Sequence, residues 1–139
     1  MTQAAERIRY RSGIKYWLAD LYDTQLAFVM PGVDIETDFI RLSASGRLLL
    51  RRGFPWNGAS GALDDRSSMR GSAVHDALYE LMAAGLLDPT LWREASDNEL
   101  RRILVEDKMH PDRAEIWFNM VRKFGGMFAR NEKPIHIAP

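Results

Sequence analysis

Cysteine is absent from this chain. Disulfide staples and thiolate metal sites are therefore excluded, and nothing in the sequence calls for an oxidising compartment. An excess of either charge is also missing: Lys plus Arg is 19, Asp plus Glu is 19, and the formal net charge is zero. Bulk attraction to nucleic acid or to an anionic membrane has no support in that balance. No apolar run approaches the ~18 residues of a membrane span, and Met1 to Arg11 lacks the apolar stretch of a signal peptide. The expected location is the cytoplasm, or a particle assembled there.

What is present is ordinary globular material, 46% hydrophobic and 27% charged over 139 residues. That fits one domain around one core. The first part, 1–56, reads as mainly β. Tyr16–Tyr22, Phe28–Met30, Asp38–Leu42 and Arg47–Arg51 are strand-like, with turn chemistry at Pro31-Gly32 and Ser43–Gly46. An antiparallel meander is expected. Residues 57–67 form a Gly-rich loop. Residues 68–128 read as three helices, and 129–139 as an extended tail with two prolines. The fold class is thus α+β.

The first helix is expected over Ser68–Ala84, with Val74, Leu78, Leu81 and Met82 as its apolar stripe and Gly85 beyond its end. The second opens at Asp88-Pro89 and is expected to restart at Ser96, where Ser96-Asp97-Asn98-Glu99 has capping-box spacing. The third opens at His110-Pro111-Asp112, buries Ala114, Trp117, Phe118, Val121 and Phe124, and ends or bends at Gly125-Gly126.

Against this background His75-Asp76 is out of place. Two ionisable groups sit in a helix patterned for burial, where an uncompensated charge is costly. His75 and Tyr79 share a helix face. Asp97 lies on the inward side of the second helix with Leu100 and Leu104, so an antiparallel neighbour would set it against the imidazole. A carboxylate on one ring nitrogen fixes the tautomer and leaves the other nitrogen as a base. The competing account is a core histidine tying two helices together.

Upstream, Gly53-Phe54-Pro55-Trp56-Asn57-Gly58-Ala59-Ser60-Gly61 can turn tightly and expose carbonyls. Carbonyls of Asn57, Gly58 and Ser60 facing Asp76 would make a hard-cation site suited to calcium. The competing account ties Asp76 to backbone amides of the same loop. Ser60 lacks the context of a nucleophile elbow. His110 and His136 have no metal-ligand neighbours at useful spacing. Arg7, Arg9, Arg11 and Lys15 fit a charged edge strand better than a nucleic-acid contact.

Gly53-Phe54, Gly58-Ala59-Ser60, His75-Asp76-Ala77-Leu78-Tyr79 and Ser96-Asp97 together resemble a domain-of-unknown-function family common in tailed-phage and prophage genomes. Asn57 stands where that family carries Asp. The resemblance implies a location in the host cytoplasm or the virion, and phage structural proteins as partners. The same residues also resemble, more distantly, secreted phospholipases of the A-two type. That resemblance implies a calcium-assisted hydrolase acting on a lipid or other ester, with His75 as base, Asp76 as metal ligand, and Tyr79 and Asp97 in support.

Overall fold

The computed structural model describes residues 8, 10–11, 16–58 and 65–129. Seven strands come first: β1 (Tyr10–Arg11), β2 (Tyr16–Leu18), β3 (Tyr22–Gln25), β4 (Ile35–Glu36), β5 (Ile40–Leu42), β6 (Arg47–Leu50) and β7 (Pro55–Trp56). Then come α1 (Met69–Ala83), α2 (Pro89–Glu106), α3 (Pro111–Phe124) and the short α4 (Gly126–Ala129). The class is α+β.

The strands form two antiparallel sheets, ordered β1-β2-β7 and β3-β6-β5-β4. Only β4-β5-β6 is a meander; β3 adds to the far side of β6. Alternation sets the register. Ile40 pairs with Leu50 and Leu42 with Leu48, all four fully buried, while Arg41 and Arg47 point outward. A slip of one residue would reverse those faces. The Tyr16–Tyr22 segment is two strands in different sheets rather than one, because the chain breaks at Ala19–Leu21.

Phe28–Met30 is not a strand. Its backbone is claimed by a helix instead. The Phe28 and Val29 amides donate to Glu99 Oε2 at 2.6 and 3.2 Å. Glu99 has no exposed surface, and its other oxygen accepts from Arg102 at 2.8 Å. A buried carboxylate thus joins the strand region to α2.

Helix α1 is the core helix. Every residue is buried except Asp76, Glu80 and Ala83, which form one stripe. It ends as the sequence implies, with Gly85 at φ +77° and the Leu86 amide bonded back to Leu81. At Gly71 the helix comes so near α2 that an added Cβ would stand 3.2 Å from methyl carbons of Leu100 and Leu104.

Helix α2 is capped by the Asp88 side chain on the Thr90 amide, with Pro89 at its first position. It does not restart at Ser96. The Ser96 hydroxyl bonds back to the Trp92 carbonyl one turn earlier and sits inside a continuous helix. Helix α3 opens as expected, with His110 accepting from the Asp112 amide. Its expected buried face is only partly realised. Ala114 is buried, Trp117, Phe118 and Val121 are half-buried, and Phe124 is 60% exposed. Phe118 is covered by the Arg101 guanidinium, 3.8 Å from the ring centre. The tail, 130–139, lies outside the described residues.

The Glu99 junction is open to a direct test. Glu99→Gln removes the charge that answers Arg102 and sets an NH2 group against either the Arg102 guanidinium or both backbone amides. A loss of about 2–3 kcal/mol is expected in urea unfolding. A change below about 0.5 kcal/mol, the scale of an ordinary surface substitution, would show that the junction is not needed.

A buried His–Asp–Tyr–Arg clasp as candidate functional site

His75 and Tyr79 lie one turn apart on the buried face of α1, their rings 4.2 Å between centres. Asp97 enters from α2 with no exposed surface. His75 Nε2 stands 2.6 Å from Asp97 Oδ1, and the Tyr79 hydroxyl donates to the same oxygen at 2.7 Å. The structure therefore brings together the three residues expected from spacing, His75, Asp97 and Tyr79.

Two further members were not foreseen. Arg122 on α3 donates from Nη1 to Asp97 Oδ2 at 2.8 Å. Arg93 on α2 donates from Nε to the Tyr79 oxygen at 3.1 Å, and from Nη2 to the carbonyls of Val121 and Arg122. The only sequence signal was indirect. Arg93 falls four residues before Asp97 and Arg122 in the last turn of α3, places usually left to solvent. Gly125 completes the enclosure, since a Cβ there would stand 2.7 Å from the Tyr79 hydroxyl.

The electrostatics follow from these bonds. Burial pushes the Asp97 carboxyl up, but bonds from His75, Tyr79 and Arg122 outweigh it and hold the group below the ordinary carboxylate range. Asp97 is thus ionised at neutral pH and can only accept. His75 Nε2 must then carry the proton, and a neutral ring keeps its lone pair on Nδ1. Among the described residues Nδ1 has no hydrogen-bond partner. No fully buried side-chain nitrogen or oxygen is left unpartnered there, so Nδ1 is not completely sealed from solvent. Burial, followed by the Asp97 charge, pushes the Tyr79 hydroxyl above its ordinary range, so it stays a donor.

Asp76 is placed differently. The Asn57 amide donates to Asp76 Oδ2 at 3.1 Å, so Asn57 presents its N–H to that oxygen rather than its carbonyl. Just upstream Trp56 Nε1 donates to Ser72 Oγ at 3.1 Å, pressing β7 onto α1. Gly58 is in the left-handed region at φ +72°. Ser60 lies outside the described residues. The described residues contain no group of three or more acidic or histidine side chains able to hold a metal. Among the described residues the pair offers one carboxylate and one amide, short of the six to eight oxygens that calcium takes.

On the arginine side of the clasp is a depression of about 260 Å3, lined by Pro89, Thr90, Arg93, Glu94 and Arg122. No described helix is long and apolar enough to cross a membrane.

The clasp predicts an acid-sensitive stability. The Asp97 pKa is lowered on folding, so its contribution is fully present above the unfolded value near 3.8 and disappears as pH falls through the lower folded value. Urea unfolding of wild type and Asp97→Asn should differ most at neutral pH, with the gap closing below about pH 4. A gap that stays constant from pH 7 to pH 3 would contradict this assignment.

No family model, curated protein or solved structure matches the chain at a significant level.

Proposed function

We propose that His75 acts as a general base in hydrolysis of an ester or related bond, with Asp97 and Tyr79 holding it in position. One observation carries the reading: Asp97 grips His75 at Nε2 and leaves the Nδ1 lone pair toward solvent. His75 is only 8% exposed, so its ring cannot swing freely. A positioned imidazole of this kind takes a proton from water or an alcohol and contributes typically 10²–10⁴-fold to rate. The resemblance to secreted phospholipases supports the same roles and makes a lipid ester the first substrate class to try.

A second reading has its own observation. Both Asp97 oxygens are occupied by groups from α1 and α3, which is what a purely structural clasp requires. In that reading the protein is a phage tail or assembly component, and its partners are other phage structural proteins. The resemblance to the tailed-phage family supports this context.

The two readings separate in one experiment. Wild type and His75→Gln are assayed on a short-chain nitrophenyl ester and on phospholipid vesicles, with calcium and with chelator, and both are unfolded in urea. The base reading expects a loss of 10²–10⁴-fold in turnover with circular dichroism unchanged. Equal turnover in both proteins, or no wild-type turnover on any substrate, would overturn it. Loss of stability alone would favour the clasp.

A further inference from the structure

We infer that the depression between the start of α2 and the end of α3 is a binding site for a phosphate group, held by Arg93 and Arg122. Two of the five residues that line it are arginines from different helices. Arg122 is already paired with Asp97, but only through Nη1. Arg93 has no acidic partner among the described residues, and its bonds go to a hydroxyl and two carbonyls. Those bonds fix the guanidinium through Nε and Nη2. The hydrogens on Nη1 have no partner among the described residues. A guanidinium held in place, carrying an unanswered charge and lining a cavity is preorganised for an anion.

Size and donor count narrow the class. The volume of about 260 Å3 is below the ~300 Å3 at the small end of pockets that enclose a drug-sized molecule. It suits one anionic group rather than a whole large ligand. Two guanidinium forks also offer more N–H groups than the two oxygens of a single carboxylate can use. The three terminal oxygens of a phosphate monoester use them better. Glu94 on the same rim opposes an anion and limits affinity. The inference does not rest on the His75 reading, because neither His75 nor Asp76 lines the depression.

The same Arg93 that faces the depression holds the Tyr79 hydroxyl, and the same Arg122 holds Asp97. A phosphate there would bridge α2 to α3 and tighten the clasp from its outer side.

The test is titration of the whole chain with inorganic phosphate at constant ionic strength, set by chloride, following the arginine Nε–H signals by NMR. Saturable shifts at Arg93 and Arg122 are expected. Arg93→Gln should weaken binding at least about tenfold, the scale of a hydrogen bond to a charged group. Glu94→Gln, which alters only a rim charge, should tighten it about threefold. That second variant keeps the proposal open to refutation even if Arg93→Gln fails to fold. No response beyond matched chloride, or identical affinity in wild type and Glu94→Gln, would overturn the site. Sedimentation with phosphatidic acid vesicles against phosphatidylcholine vesicles separates the sources. Arg93-dependent capture assigns a lipid headgroup, and phosphate binding without capture assigns a soluble phosphate or phosphomonoester.

Discussion

The helical half of this protein is organised by one buried negative charge. Asp97 has no exposed surface yet remains ionised, which is tolerable only if its charge and lone pairs are answered on the spot. The answers come from His75 and Tyr79 on α1 and from Arg122 on α3. Three helices are therefore tied to one carboxylate, and none can shift by a turn without leaving that carboxylate unpaired. Hydrophobic contacts such as Leu78, Leu81 and Ile103 supply most of the driving force. They are non-directional and would accept several packings. The clasp selects among them.

Helix α2 repeats the device. Glu99 lies two residues after Asp97, about 200° around the axis, and is equally buried. It faces the Phe28–Val29 turn and so ties α2 to the strand region. Further along, Arg70 of α1 is buried against Asp107 and Glu106 at the other end of α2 and also donates to Tyr22 of β3. Burial works against the Arg70 charge, but Asp107 and Tyr22 more than offset it and keep the pKa raised. The α1–α2 pair is thus pinned by charge at one end, through Arg70, and midway, through Asp97, with Gly71 allowing close approach between.

How much of this could be read from sequence depends on the range of the interaction. Helix starts at Asp88-Pro89 and His110-Pro111 were legible because a cap and its amide lie within three residues. The pairing of His75 with Asp97 was legible because helical periodicity puts both on inward faces of adjacent helices. The end of strand structure before Phe28 was not legible, since the competitor for its amides is Glu99, seventy residues away. The apparent restart at Ser96 misled for a local reason: capping-box spacing says nothing about whether the hydroxyl bonds forward or back. Arg93 and Arg122 were missed because long cations near helix ends usually reach solvent. Nothing in their spacing reveals a carboxylate or phenol within reach.

The clasp need not choose between holding the fold and doing chemistry. A base must be held in one orientation, and the groups that hold it must be satisfied themselves, or they will relax away from it. Asp97 achieves the first through Nε2, and Tyr79, Arg122 and Arg93 achieve the second. A saturated Asp97 is therefore what either role demands, and its saturation does not discriminate between them. Nδ1 is the atom on which the two roles make different demands. A ring kept only for structure needs no second partner, since a nitrogen that reaches water loses no hydrogen bond on folding. His75 has one nitrogen bonded to Asp97 and the other without a hydrogen-bond partner among the described residues. That asymmetry is what a base requires and what a structural clasp merely tolerates.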